Sequence, residues 1–232
     1  MNTQAVKVAK SRAEAPLRID FVSDITCPWC AIGLTGLEQA LARLVGAVLV
    51  ELHFQPFELN PDIPRSGEPI ADYVMRKYGA GAAELARRQT LIRARGAEVG
   101  LALAERTHVY NTFDAHRLLH WAGLEGRQRE LKHSLLAAYH VRRENPALSE
   151  VLLAAAVEAG LDPRRARDVI DGGAHADDVR ASVRRWRELG IDAVPSVVVD
   201  GRWLIQGSQP VDVFEEALRR IAAERRRADW AS

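Results

Sequence analysis

The chain has 232 residues, a formal net charge of +1, and 47% hydrophobic and 27% charged residues. It is long enough to bury a full hydrophobic core, and its balanced, interspersed charges argue against nucleic acid as a partner. No apolar run approaches the roughly 20 residues that a membrane-spanning helix requires, so we expect no membrane partner either.

Residues 1–16 are small, polar and aperiodic, and we predict that they form a flexible N-terminal arm. They contain lysines but no apolar segment typical of a secretory signal. We therefore expect a cytoplasmic protein, in a compartment where thiols are kept reduced and a close pair of cysteines is more often catalytic than structural.

The first predicted elements surround the only two cysteines of the chain, Cys27 and Cys30. Alternating apolar residues predict a strand over about residues 17–23, and leucines at three- and four-residue intervals predict a helix over about residues 28–45. Because Pro28 suits the first helical position, Cys27 is the predicted N-cap, where the helix dipole favours a thiolate over a thiol. Cys30 follows one turn later, so the spacing predicts a dithiol that cycles reversibly to a disulfide.

The same C-x-x-C spacing also begins many zinc sites. Zinc usually needs four ligands, and the chain has no further cysteine and no histidine pair near Cys27. His116 and His120 have a spacing that can bind a metal, but they lie far along the chain on a predicted amphipathic helix. The sequence therefore favours redox chemistry, and we predict no metal ligands.

A second strand is predicted over about residues 48–54, where apolar residues occupy every second position. With the helix between them, the two strands form a β-α-β unit, so they should lie parallel with a right-handed crossover. A proline-rich connector then leaves the sheet, and residues 66–175 show successive helical patterns without a convincing strand. One of these helices begins near Asn111 or Thr112, and another at Asp162-Pro163.

The last part of the chain returns to the sheet. A predicted helix precedes two apolar runs on either side of Asp200-Gly201, which predict a β-hairpin, and a final helix follows. The fold class is therefore α/β, in the order β-α-β, then α-β-β-α, with a large all-helical insertion between them. We expect a discontinuous sheet domain of residues 17–65 and 176–227, and an insertion domain of residues 66–175.

Seven short blocks along about residues 17–225 resemble those of a known family. They are Ile19-Asp20-Phe21-Val22-Ser23-Asp24, Cys27-Pro28-Trp29-Cys30-Ala31-Ile32-Gly33, Pro56-Phe57-Glu58-Leu59-Asn60-Pro61, Lys77-Tyr78-Gly79, Asn111-Thr112-Phe113-Asp114-Ala115-His116-Arg117-Leu118, Ala193-Val194-Pro195 and Gly207-Ser208-Gln209-Pro210. With the order of elements, they resemble the thioredoxin fold of DsbA-like proteins and, more closely, the FrnE-like group. That group is related to 2-hydroxychromene-2-carboxylate isomerases and kappa-class glutathione transferases.

The resemblance implies a thiol–disulfide oxidoreductase in which Cys27 is the attacking thiol and Cys30 the resolving one. It also implies a catalytic role for Pro195, through a cis Val194–Pro195 bond that packs against the cysteine pair. Cis is accessible at X–Pro bonds, where it costs only about 0.5–1 kcal/mol. Such a bond would leave the backbone of Val194 free to pair with an extended substrate segment. A trans proline at the start of an edge strand is the alternative.

Besides Val194, four residues are candidate substrate contacts. Pro28 and Trp29 separate the cysteines, and Trp29 would either form a hydrophobic lip for the substrate or simply pack into the core. By resemblance the insertion covers the active site, so Asn111 and His116 are candidates to line the substrate cleft. The alternatives are that Asn111 caps a helix and that His116 lies on the polar, exposed face of that helix.

We therefore expect an enzyme that exchanges disulfides with protein or small-molecule substrates and takes electrons from an external thiol or reductase. It needs no bound cofactor beyond its redox-active disulfide, and glutathione is a candidate co-substrate. The alternative is a glutathione-dependent isomerase or transferase of the chromene-carboxylate isomerase or kappa type. Such enzymes need one activated residue at the position of Cys27 and no resolving cysteine, so the intact pair favours the oxidoreductase. A non-enzymatic binding protein and a homodimer both remain open.

Overall fold

The structure, a computed structural model, describes residues 15–231, and side chains as far as residue 227. The N-terminal arm predicted over residues 1–16 therefore lies almost wholly outside the described residues. The described strands are β1 (Leu17–Ser23), β2 (Val50–Pro56), β3 (Glu68–Pro69), β4 (His108–Val109), β5 (Ser196–Val199) and β6 (Trp203–Gln206). The described helices are α1 (Pro28–Arg43), α2 (Ile70–Tyr78), α3 (Ala82–Glu98), α4 (Phe113–Leu124), α5 (Gln128–His140), α6 (Ser149–Glu158), α7 (Pro163–Gly172), α8 (Ala176–Glu188) and α9 (Val211–Ala231). None of these helices, over its described length, has the long apolar stretch that a bilayer-spanning segment requires.

The strands β2, β1, β5 and β6 form a central mixed sheet in that order. β1 pairs with β2 in parallel, with Leu17 opposite Val50, as the β-α-β pattern predicted. β5 runs antiparallel to both β1 and β6. Asp200 and Gly201 join β5 to β6 with positive φ angles of 50° and 65°, which a type I′ hairpin turn requires. The predicted order β-α-β, then α-β-β-α, is confirmed.

Alternation along β1 separates the two faces of this sheet. Leu17, Ile19 and Phe21 belong to a core that includes residues of α1 and α9. Val22 packs on the opposite face with Trp186 of α8. Each of these β1 side chains is at most 2% exposed. β1 is therefore an interior strand covered on both faces, and its carboxyl end leads directly to the cysteines.

The segment between β2 and α8 is helical, as predicted, apart from two very short strands. β3 and β4 pair antiparallel, with Glu68 opposite Val109. This ladder is an addition to the predicted helical insertion, and its two residues per strand are too few to leave an alternating pattern in the sequence. Helices α4 to α7 share a hydrophobic core with Ile25, which lies two residues before Cys27. The insertion core thus reaches the cysteine loop, while the division into two domains stays a prediction.

Arg117 of α4 is a buried arginine that caps the end of α7. Its side chain is 4% exposed, and its guanidinium donates to the carbonyl oxygens of Val169, Ile170 and Ala174 and to the carboxylate of Asp114. These carbonyls lie in the last turn of α7 and just beyond it, where no intrahelical N–H is available. Arg117 therefore connects α4 to α7 through bonds that no water can replace without opening the core.

We expect Arg117→Met to lower the free energy of unfolding by about 3 kcal/mol, because buried oxygen atoms would lose their donor. Arg127→Met removes an exposed arginine that pairs with Glu130, and should change the free energy by less than about 0.5 kcal/mol. Urea unfolding followed by circular dichroism measures both values. Equal losses in the two variants would contradict the capping role of Arg117.

Candidate active site

Cys27 and Cys30 lie at the start of α1, as the sequence predicted. Cys27 is the N-cap residue, with φ −82° and ψ 113°, and Pro28 begins the first turn. Because proline lacks the N–H that would be unpaired here, the helix starts without losing a hydrogen bond. The Cys30 N–H donates to the Cys27 carbonyl at 3.1 Å, and both side chains are free thiols. The two sulfurs are adjacent enough for one to hydrogen-bond to the other.

These two sulfurs have different surroundings. Both are buried, but Cys27 is 4% exposed and lines a groove, whereas Cys30 is 0% exposed and does not line it. A hydrogen bond from the Cys30 thiol lowers the pKa of Cys27, against the opposing effect of burial. Burial raises the pKa of Cys30 well above its ordinary value, and the bond to Cys27 raises it further. Cys27 is therefore the thiol that ionises first and that a substrate can reach.

The groove beside Cys27, called the thiol groove below, has a volume of about 310 Å³. Cys27, Pro28 and Trp29 contribute to one wall. The opposite wall comes from the insertion and the segment after β2, and it is mainly apolar and aromatic: Leu59, Asn60, Ile70, Tyr73, Val74, Tyr78, Leu85, Arg88, Leu91, Ile92, Arg106 and Val109. The structure thus places Pro28 and Trp29 in the same cleft as Cys27. Their contact with substrate stays a prediction.

Val194 and Pro195 lie on another side of Cys27. Their peptide bond is cis, and the Cys27 sulfur lies 3.8 Å from the Val194 carbonyl oxygen. Pro195 is buried and packs against Gly33 of α1, where an added Cβ would lie 3.0 Å from the proline ring. Gly33 therefore permits the close approach of this loop to α1. Neither Val194 nor Pro195 is among the residues that line the thiol groove.

Asn111 and His116 do not line the thiol groove. Asn111 accepts a hydrogen bond from the N–H of Phe113 at 3.0 Å and donates to the Pro61 carbonyl at 3.0 Å, so its side chain holds the start of α4. The N-cap residue itself is Thr112, whose side chain makes no capping hydrogen bond. His116 is 2% exposed, so its predicted position on an exposed face is wrong. Residue 116 lies three positions before Leu119, which is about one helical turn, so its side chain faces the core side of α4.

Four ionisable side chains surround the segment that leads to Cys27, and they are called the buried polar cluster below. Its members are Asp24, His116, Lys132 and His140, each at most 2% exposed. Asp24 accepts hydrogen bonds from the N–H groups of Thr26 at 3.2 Å and Leu59 at 2.8 Å. Burial raises the pKa of Asp24. Its carboxyl group therefore joins the cysteine loop to the segment that follows β2.

Lys132 brings a positive charge from α5 to the buried side of the cysteine pair. Its Nζ donates to the Ser23 hydroxyl at 2.9 Å. Burial lowers the pKa of Lys132 to about 8, although the neighbouring Cys30 and Asp24 oppose this effect. Near neutral pH this amine can therefore give up or accept a proton, and its charge interacts with Cys30.

His116 and His140 are neutral hydrogen-bond donors. The Nε2 of His116 lies 3.1 Å from the Phe57 carbonyl oxygen, and that of His140 lies 2.9 Å from the Ile25 carbonyl oxygen. Since a carbonyl oxygen only accepts, these nitrogens carry the ring proton. Burial lowers both pKa values to about 3. The two rings thus fix the loops around Cys27 without adding charge.

Arg106 provides a cationic group in the thiol groove. Gln89 of α3 holds its backbone through two hydrogen bonds, from the Gln89 amide to the Arg106 carbonyl at 2.9 Å and from the Arg106 N–H to the Gln89 side-chain oxygen at 3.0 Å. Among the described residues, the buried Nε of Arg106 has no hydrogen-bond partner. The charge of Arg106 contributes to the lowered pKa of Cys27.

Lys132, His140 and Arg106 are site residues that the sequence analysis missed. The sequence pattern could have identified Lys132 and His140. Lys132 lies three positions before Leu135 and His140 four positions after Leu136, so both are on the apolar side of a predicted helix. A lysine and a histidine on such a face need a buried partner. Arg106 lies between helices, where no periodic pattern exists to place it.

Comparisons with known proteins agree with this arrangement. A protein-family model described as "DSBA-like thioredoxin domain" matches residues 18–219. The structure of a probable DsbA oxidoreductase, SCO1869 from Streptomyces coelicolor, is similar with a TM-score of 0.82 and 34% sequence identity, over 90% of this chain and 91% of that one.

Two more distant similarities extend the comparison. The structure of a 2-hydroxychromene-2-carboxylate isomerase has a TM-score of 0.67 at 15% identity, over 93% of this chain and 100% of that one. At this identity the likeness shows the fold alone. The uncharacterized protein YwbO of Bacillus subtilis is 25% identical over 206 residues, which cover 87% of this chain and 96% of YwbO.

Replacing Cys30 should raise the pKa of Cys27, because the thiol that donates to its sulfur is lost. We expect the pKa of Cys27 to rise more in Cys30→Ala than in Arg106→Met. The hydrogen bond from Cys30 lowers this pKa more than the charge of Arg106 does. Arg88→Met, at the far wall of the groove, is the control and should cause little change. The pH dependence of the ultraviolet thiolate absorbance measures all three. An unchanged pKa in Cys30→Ala would contradict the sulfur–sulfur hydrogen bond.

The buried histidines should make the protein less stable in acid. Between pH 6.5 and about 3 the unfolded chain binds a proton at each histidine that the folded chain excludes. Stability should therefore fall as pH falls through this range, by about 1.4 kcal/mol per pH unit for each histidine. Glutamine keeps an N–H donor without this proton site, so His116→Gln and His140→Gln should each make the dependence shallower. Urea unfolding at a series of pH values tests this, and identical slopes in all three proteins would refute it.

Proposed function

We propose that this chain, which belongs to the DSBA-like thioredoxin domain family, is a thiol–disulfide oxidoreductase that cycles Cys27 and Cys30 between dithiol and disulfide. The observation that supports this most strongly is the contrast between the two sulfurs. Cys27 opens to the thiol groove and has a lowered pKa, whereas Cys30 is fully buried and has a raised pKa. An attacking and a resolving thiol need this asymmetry.

In the reducing direction, the Cys27 thiolate attacks one sulfur of a substrate disulfide. A mixed disulfide forms at Cys27, and the other substrate sulfur leaves as a thiolate. Cys30 then loses its proton and attacks the Cys27 sulfur, which releases the second substrate thiol and closes the Cys27–Cys30 disulfide. Two electrons pass from the enzyme to the substrate. In the oxidising direction a substrate thiolate attacks Cys27 of the disulfide, and the same steps run in reverse.

Resolution requires that the buried Cys30 thiol lose its proton. Lys132 suits this task because its buried amine has a pKa of about 8 and its charge interacts with Cys30. A neutral Lys132 accepts the proton, and the resulting ammonium group stabilises the Cys30 thiolate. Asp24, whose pKa is raised by burial, interacts electrostatically with the same amine.

The thiol groove suits a disulfide flanked by apolar groups. Trp29 and Pro28 offer an apolar contact beside Cys27, and the Val194 carbonyl lies close enough to Cys27 to pair with the backbone of an extended peptide. Arg106 adds a cation at this groove for an acidic group of the substrate. Because the chain contains only the two site cysteines, an external thiol or reductase must restore the starting redox state, and glutathione is the candidate we would test.

The glutathione-dependent isomerase remains an outcome of the test rather than a second proposal. The likeness to the 2-hydroxychromene-2-carboxylate isomerase concerns the fold, and an intact resolving cysteine serves no purpose in that reaction class. The cytoplasmic location and the homodimer stay predictions, which cell fractionation and light scattering can examine.

Wild-type protein titrated with glutathione redox buffers should undergo a reversible two-electron transition. Cys30→Ser should accumulate a mixed disulfide on Cys27 when mixed with a peptide disulfide, because the resolving thiol is absent. Cys27→Ser is the matched control and should form no such adduct. Mass spectrometry of the acid-quenched proteins measures both. A cysteine pair that stays reduced in every buffer would contradict the oxidoreductase proposal. So would a protein that binds glutathione without transferring it to disulfides. Either result would favour the glutathione-dependent alternative.

A further inference from the structure

Two histidines and an aspartate meet between α4 and α8, away from the thiol groove. His120 comes from α4, and His175 and Asp178 come from the start of α8. The Asp178 Oδ2 lies 3.2 Å from the His175 Nδ1 and 3.7 Å from the His120 Nε2. One nitrogen or oxygen atom of each residue lies within 4.8 Å of those of the other two.

The fold directs these side chains to one point. His175 is the N-cap residue of α8, with a positive φ of 63°, and Asp178 follows one turn later on the same side of the helix. His120 lies one turn after His116, whose ring nitrogen is fixed to a backbone carbonyl, so this part of α4 has a defined orientation. A capping contact would explain His175 and Asp178. It gives no reason for a second imidazole, on a different helix, to face the same carboxylate.

The separations are close to those around a metal ion. Zinc binds histidine nitrogen and carboxylate oxygen at about 2.0–2.2 Å, so two ligands of one ion lie about 3–3.5 Å apart. The two distances to Asp178 already match this spacing to within a few tenths of an ångström. The two imidazole rings have centroids 5.0 Å apart and an interplanar angle of 35°, and their ligand nitrogens lie within 4.8 Å of each other. The rings must therefore approach each other further before both nitrogens bind one ion.

We propose that His120, His175 and Asp178 form a binding site for a divalent first-row transition-metal ion such as Zn²⁺. Two imidazoles and one carboxylate are a ligand set that such ions use with water in the remaining positions. The ion joins α4 of the insertion to α8, beside the sheet. The site is independent of the proposed redox function, because none of its residues lines the thiol groove.

Solvent access and charge both allow an ion to enter. The side chains of His120, His175 and Asp178 are 36%, 22% and 58% exposed. His120 also borders a separate groove of about 520 Å³ between α4 and β2. The nearest arginine on α8, Arg180, pairs with Asp177 and lies over the ring of Phe113, so its charge is engaged elsewhere.

The test uses untagged full-length protein with Cys27→Ser and Cys30→Ser, so that no thiol can bind the metal. Isothermal titration with Zn²⁺ should show one ion per chain, and Co²⁺ should give visible absorption bands that Zn²⁺ abolishes. Zn²⁺ binding should weaken by at least about tenfold in each of three variants, His120→Ala, His175→Ala and Asp178→Asn. Removing even a residue that only orients a metal ligand lowers metal affinity by about that factor. Zn²⁺ should also raise the Tm of the parent protein and not that of His120→Ala.

His133→Ala is the matched control. His133 also faces a carboxylate, with its Nε2 3.0 Å from Glu38, but without a second imidazole. Its loss should leave the Zn²⁺ affinity unchanged, and circular dichroism should show that every variant is folded. The proposed metal site would be contradicted if the parent protein did not bind Zn²⁺. It would also be contradicted if His133→Ala weakened Zn²⁺ binding as much as the three ligand variants do.

Discussion

The buried carboxyl group of Asp24 fixes the segment that presents Cys27. It accepts the N–H groups of Thr26, one residue before Cys27, and of Leu59 in the segment after β2. These bonds set the end of β1, the start of α1 and the far wall of the thiol groove relative to one another. A carboxylate is costly to bury, so its two backbone donors are essential to this geometry. The N-cap position of Cys27 therefore depends on a carboxyl group that is itself only 1% exposed.

Residues of the insertion contact the segment that leads to Cys27. Ile25 belongs to the insertion core, and its carbonyl oxygen accepts from His140 of α5. Lys132, on the same helix, binds Ser23 at the end of β1. The charge of Lys132 therefore acts on Cys30, while Cys27 lines a groove to which residues of the insertion contribute. The difference between the two thiols, on which the proposed chemistry depends, is produced by this packing together with the helix start.

The sequence was informative where interactions are local. The β-α-β unit, the Asp200-Gly201 hairpin and the N-cap at Cys27 all follow from patterns within a few residues, and all are present. The buried polar contacts could not be predicted in this way, because Lys132 binds Ser23 across 109 positions of the chain. The same limit applies to His120, because the fold brings its ring to 5.0 Å from the ring of His175, which lies far along the chain.

The most direct test of the account is the identity of the thiol that reacts first. Reduced protein is treated at neutral pH with less than one equivalent of iodoacetamide, and the labelled peptides are quantified by mass spectrometry. The burial of Cys30 and its hydrogen bond to Cys27 predict that almost all of the label is on Cys27. Equal labelling of both cysteines, or preferential labelling of Cys30, would contradict the assignment of the attacking and resolving thiols.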